Sequence, residues 1–138
     1  MSDAPLTGSC LCGAVRFEVR APFFDAGYCH CTRCQGRTGT GSAISGIAHA
    51  KDVAVVQGAD ALRTWQPADG YPKSFCGTCG AHLFSGTPGG PGVCGIRFGA
   101  LDDDPGIAPR FRQWISSAAS WDPIPDDGLT RYAEGRPG

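Results

Sequence analysis

Apolar residues in this chain alternate over short spans and never sustain a helical period. In GAVRFEVRA (13–21), Val15, Phe17 and Val19 alternate with Arg16, Glu18 and Arg20, the period of two that buries one face of a β-strand. Pro22 ends the run. FDAGYCHC (24–31) predicts a second strand running into a cluster of cysteines. SAISGIAH (42–49) and DVAVVQG (52–58) predict two more, punctuated by Gly46 and Gly58. ALRTWQP (61–67) and GYPKSF (70–75) predict the next pair, and GVCGIRFGAL (92–101) an apolar strand interrupted by glycine. RFRQWISSA (110–118) fits a strand or a short helix, and the tail 121–138 is turn-rich and expected to wrap the surface. The pattern predicts a mainly β domain of short antiparallel strands with cysteines at the turns.

Composition adds a constraint. The 138 residues suffice for one domain, taken as 1–138. With 21 Gly and 11 Pro, a small core threaded by many turns needs a staple, disulfide or metal. The opening MSDAPLTGSC has neither a basic nor an apolar segment of the kind a secretory signal carries, and no stretch reaches the ~18–20 apolar residues of a membrane span. The expected compartment is therefore the cytoplasm, where disulfides are rare, so eight cysteines point to metal. A net charge of −1 offers no basic field for nucleic acid or anionic lipid.

The cysteines fall as Cys10-x-Cys12, Cys29-x-Cys31-x-x-Cys34, Cys76-x-x-Cys79 and a lone Cys94. FCGTCGAHLF reads as a zinc knuckle, with Gly77 and Gly80 permitting its turn. CLCG is a second short hairpin-like pair, also followed by Gly, and Cys10 and Cys12 share a face if they lie in a strand. Cys10, Cys12, Cys76 and Cys79 together supply the four ligands of a structural zinc site. Cys29, Cys31 and Cys34 are left, and three ligands with one open position is the layout of catalytic zinc. Two zinc ions per chain are expected. A second pairing, Cys31 and Cys34 with Cys76 and Cys79 as a zinc ribbon, strands Cys10, Cys12 and Cys29. A disulfide framework ranks third.

Taken together, GSCLCGAVRFEV, YCHCTRCQGRTGT, FCGTCGAHLF, FGALDD and SSAASWDPI resemble the glutathione-dependent formaldehyde-activating enzyme family, the centromere protein V type, over about Thr7 to Glu134. The resemblance implies a Mss4-like fold with two zinc ions, a structural one matching Cys10, Cys12, Cys76 and Cys79 and a catalytic one matching Cys29, Cys31 and Cys34. It implies a carbon–sulfur lyase or adduct-forming activity on S-hydroxymethylglutathione, with a glutathione-like thiol and an aldehyde as small-molecule partners. The alternative is a non-catalytic zinc module of the same fold that binds a protein.

The remaining polar residues sort more simply. Arg33 and Arg37 flank the three-cysteine cluster and are candidates to pair a substrate's carboxylates, against the plainer reading of solvated charges. Three thiolates over-neutralise a zinc ion, so nearby donors must offset their charge. His30 is expected to point away from Cys29 and Cys31, His82 to be a strand histidine, and His49 to have no role. Cys94 reads as a buried strand thiol, LDDDP as a solvated turn, and Trp65, Trp114 and Trp121 as core or rim packing.

Overall fold

The computed structural model describes residues 4–137, so the first three residues and the last residue of the predicted domain lie outside it. Along the chain run β1 (Leu6–Ser9), β2 (Arg16–Val19), β3 (Asp25–Cys29), α1 (Thr32–Thr38), β4 (Ala43–His49), β5 (Val53–Gln57), β6 (Leu62–Trp65), β7 (Lys73–Cys76), β8 (His82–Ser85), β9 (Val93–Arg97), β10 (Phe111–Gln113) and β11 (Thr130–Arg131). The protein is mainly β, as the alternation predicts. A three-stranded sheet has the order β1-β2-β5, and an eight-stranded sheet has the order β11-β10-β3-β4-β9-β8-β7-β6.

The antiparallel expectation holds for both sheets except at one edge. β10 pairs in parallel with both β3 and β11. The chain between β3 and β10 is long enough to make the crossover that a parallel pair requires. RFRQWISSA is both of the things it was read as: β10, then a single 3-10 turn at Ile115–Ser117. The predicted strand 24–31 stops at Cys29, and α1 begins where its continuation was expected.

The core lies between one face of each sheet. Val15, Phe17 and Val19 are fully buried while Arg16 and Glu18 are not, which is the alternation read from sequence. Phe17 packs edge-on against Phe84 of β8, ring centroids 4.9 Å apart. Burying each such ring contributes about 1.5–3 kcal/mol. Val53, Ala48, Leu83, Ile96 and Cys94 complete the contact. Gly8 is obligatory in β1, because a Cβ there would collide with the Phe17 ring and the Ala100 carbonyl. The small sheet thus covers one face of the large sheet and leaves the other face free to line a cavity.

Candidate metal centre and adjoining cavity

Two hairpin turns build the first cysteine cluster. After β1 the chain reverses through 10–15, with Gly13 N–H donating to the Cys10 carbonyl and Cys10 N–H to the Val15 carbonyl. Cys10 and Cys12 therefore meet because a turn folds them together, not because they share a strand face. The second turn links β7 to β8, with Gly80 N–H donating to the Cys76 carbonyl. Gly80 is left-handed there (φ +79°), as the knuckle requires. Gly77 has another reason to be glycine: a Cβ would press on Arg63 Cγ at 2.8 Å.

The sulfurs of Cys10, Cys12, Cys76 and Cys79 lie within 4.8 Å of one another. The Cys10–Cys12 and Cys12–Cys76 separations are 3.6 and 3.8 Å. Tetrahedral Zn–S bonds of about 2.3 Å place sulfurs about 3.8 Å apart, so the donor set fits a zinc ion. Backbone N–H groups of Val15, Thr78 and Cys79 donate to these sulfurs at 3.2–3.5 Å. Hydrogen bonds from the Ala81 and Cys12 backbones, with Cys76 and Cys12 side chains adding to them, pull the Cys79 thiol down to about 6.

The second cluster sits where β3 runs into α1. Cys29 ends the strand, Cys31 caps the helix, and Cys34 faces inward one turn later. The Cys31 sulfur accepts the Cys34 N–H at 3.3 Å, the bond a cap side chain makes. This helix was missed in the sequence, because it is one short stretch of seven residues with a glycine inside it. The three sulfurs also lie within 4.8 Å of one another. Hydrogen bonds from Cys29 and Cys34 push the Cys31 thiol strongly down, while Cys31 and Cys34 push Cys29 strongly up. One thiol ionises at the expense of its neighbour unless a cation is shared among them, which is the condition a metal fulfils.

The three-sulfur cluster opens on a cavity of about 810 Å³, whose lining includes Cys29, Cys31 and Cys34. Its floor is the uncovered face of the large sheet, with Gly27 and Cys29 of β3, Ser45 of β4, Arg97 of β9, Ser85 of β8 and Lys73 of β7. Aromatic walls come from Tyr28, Trp65, Tyr71, Phe111 and Trp114. Trp65 and Trp114 are thus cavity residues rather than core, and Trp121 is mostly exposed. Trp114 holds a left-handed φ of +59°, alone in this among the described non-glycine residues, at a cost of about 1–2 kcal/mol. The four-sulfur cluster does not line this cavity; its Cys10 borders a separate one of about 430 Å³.

A chain with these clusters at these positions has known relatives. The model of the family described as glutathione-dependent formaldehyde-activating enzyme matches residues 5–117. This chain belongs to that family. A Halomonas elongata protein provisionally named a glutathione-dependent formaldehyde-activating enzyme is 30% identical over 139 residues, spanning 96% of this chain and 88% of that one. A crystal structure of a Rhodobacter sphaeroides protein, a structural-genomics target, matches with a TM-score of 0.59 at 29% identity, covering 91% of this chain and 98% of that chain.

Within this family member the two arginine candidates part ways. Arg33 lines the cavity, lies 5.6 Å from the Trp65 ring centroid, and is engaged by Asp69, donating to its carbonyl at 2.7 Å and its carboxylate at 2.9 Å. Arg37 does not line it. Its Nη1 is buried without a hydrogen-bond partner, and burial and Arg97 push its pKa down while Cys34 pulls it up. Two cations that the sequence reading passed over also surround the cluster. Lys73 is 9% exposed, and Arg97 has Nε and Nη2 buried and unpartnered. Burial pushes the Lys73 amine down, with Cys34 and Cys29 opposing. The charges of these three cations bear on Cys34 without a hydrogen bond to its sulfur.

The other expectations have definite outcomes. His30 is buried away from the sulfurs, its Nε2 3.2 Å from Arg112 Nη1. His82 opens β8, and burial with Arg37 and Arg97 pushes its pKa down. His49 stacks on Phe24, at 4.7 Å. Cys94 is fully buried in β9, pushed up to about 12 by that burial. Asp102 of the acidic turn accepts from Thr7 Oγ1 at 2.7 Å and pairs Arg16 at 3.2 Å.

Among the described residues no helix is long and apolar enough to cross a membrane.

Proposed function

We propose that this chain is a zinc-dependent enzyme that makes and breaks the carbon–sulfur bond between glutathione and formaldehyde, acting as a single domain over 1–138 with its core at about 7–134. The reading adds cytoplasmic location and the absence of nucleic-acid and membrane partners. One observation carries it above the others: the three-sulfur cluster, not the four-sulfur one, lines the large cavity. Family membership supports the choice of thiol and aldehyde.

Cys10, Cys12, Cys76 and Cys79 hold a structural zinc, and Cys29, Cys31 and Cys34 hold the second. A zinc ion on three protein ligands supplies a vacant position that acidifies an entering thiol or polarises an aldehyde. The chain's residues do the rest. Cys31, drawn toward ionisation by its neighbours and by the Cys34 and Arg33 amides, fixes the cluster at the helix cap. The aromatic walls give the cavity apolar sides, and its basic floor favours an anionic substrate. Arg33 offers a guanidinium at the rim. In the forward direction the glutathione sulfur attacks the aldehyde carbon, a C–S bond forms as the C=O π bond breaks, and the thiol proton ends on the new hydroxyl. The reverse step restores thiol and aldehyde.

The alternative of a non-catalytic interaction module gives no reason for a cavity beside the three-sulfur cluster. Exchange between glutathione and its S-hydroxymethyl adduct, followed by NMR, separates the two. Acceleration by the zinc-loaded protein and none by Cys31→Ser is the expected result. An exchange rate indifferent to the wild-type protein rejects the enzyme.

A further inference from the structure

Among the described residues, five ion pairs engage Arg16, Arg20, Arg33, Arg112 and Arg136. Lys73 and Arg97 take part in none of them. Each reaches across the sheet to a neutral hydroxyl, Lys73 Nζ to Ser85 Oγ and Arg97 Nη1 to Ser45 Oγ, both at 2.6 Å. The register puts them together on the cavity floor: Lys73 stands opposite Ser85, Ser85 opposite Gly95, and Ser45 opposite Arg97. Gly95 lies between the two cations, and a Cβ there would meet the Ser85 and Ser45 side chains at ordinary contact distances of 3.6 and 3.8 Å. The floor is therefore basic at two points with a shallow step between them.

Buried cations in proteins are paired, because an unpaired one costs several kcal/mol. The metal centre does not supply enough negative charge. Three thiolates on a dipositive ion leave a single negative charge, and Lys73, Arg97 and Arg37 face it with three positive ones. Of the three, Lys73 and Arg97 line the cavity, and their charge is left facing whatever enters it. A carboxylate suits both donors, accepting a point-charge bond from Lys and a forked one from Arg.

We propose that Lys73 and Arg97 form the anchor for a carboxylate of the thiol substrate, and so select anionic peptide thiols over neutral ones. The proposal rests on the reading of the cavity as a thiol site. The anchor holds the peptide across β7 to β9 while its sulfur end lies toward the cysteines.

The test is calorimetric titration of the zinc-loaded full chain with S-methylglutathione, which keeps the carboxylates and lacks the thiol, and with its diethyl ester. The acid is expected to bind at least about tenfold more tightly than the ester. Lys73→Met and Arg97→Met should each weaken the acid about tenfold, leave the ester unchanged and retain two zinc ions per chain. Lys73→Arg and Arg97→Lys, which keep the charge, should keep the preference for the acid. Equal binding of acid and ester by the wild type overturns the anchor, as do Met variants that bind like the wild type. Should a Met variant lose zinc or fold, the charge-keeping pair decides: preference lost with zinc retained overturns the anchor. Binding through these residues without any acceleration of formaldehyde exchange leaves the anchor standing and removes the proposed activity.

Discussion

The two cysteine clusters use the same ligand atom and differ in almost everything around it. The four-sulfur cluster joins two hairpin turns, one from each sheet, and its charge is met by backbone N–H groups of Val15, Thr78 and Cys79. The three-sulfur cluster comes from one six-residue stretch; it too accepts a backbone N–H, Cys34 to Cys31, but it also has side-chain cations, Lys73, Arg97 and Arg37, whose charge bears on Cys34. Amides belong to the backbone and cannot leave; they suit a site whose work is to hold turns in place. Side-chain cations can be shared with an incoming anion, which suits a site that takes a ligand. On the proposed reading, the added side-chain cations mark the cluster that takes a ligand.

The largest effect should come from the staple. Cys76→Ser removes a fully buried ligand that ties the second turn to the first. Structural zinc contributes about 10–16 kcal/mol in small domains, as much as or more than a domain's whole stability of about 5–15 kcal/mol. The variant should lack cooperative thermal unfolding by circular dichroism. Cys31→Ser should instead keep the fold, lose one zinc by elemental analysis, and lose adduct exchange by at least about 100-fold. If both variants unfold alike, the division between the clusters is broken.

Arg37→Met sharpens the contrast at lower amplitude. Loss of this charge beside Cys34 should speed removal of one zinc by a chelator about tenfold. In Cys31→Ser protein, which keeps the four-cysteine site, the same change should raise the melting temperature, since it removes a cation whose Nη1 is buried without a partner. The smallest expected effect is at His82. Its folded pKa lies below the ordinary 6.5, so the unfolded chain binds the proton more readily as pH falls. Stability that is present above pH ~6.5 is lost on acidification toward the folded pKa. His82→Gln should therefore flatten the fall of melting temperature between pH 7 and 5.5.

Much of this was legible in the sequence, and the exceptions have physical causes. The alternation in 13–21 gives the buried face of β2, though the strand itself is the shorter Arg16–Val19, because a strand with one face in the core must alternate. β1 escaped notice since the buried position in LTGS is a glycine, which carries no hydrophobic signal. α1 escaped because TRCQGRT has no apolar stripe; its one buried residue is Cys34. The groupings of the two clusters could be proposed from spacing, and CLCG could be read as a hairpin-like pair, although the turn and not a shared strand face is what unites Cys10 and Cys12. Lys73 and Arg97 were invisible for a different reason. Period two says which residues share a face, but not whether that face meets the core or a cavity, so nothing in KSFC or VCGIR singles out the lysine or the arginine.

The central claim is that one chain carries two zinc sites of different kinds, one closed by its own four cysteines and one completed by a substrate thiol. Native mass spectrometry tests it most directly, on protein purified under reducing conditions without added metal and then exposed to glutathione. The account predicts a folded chain with two zinc ions that takes up one glutathione, and a Cys31→Ser chain with one zinc that takes up none. A folded wild-type chain with a single zinc, or glutathione uptake unchanged in Cys31→Ser, contradicts it.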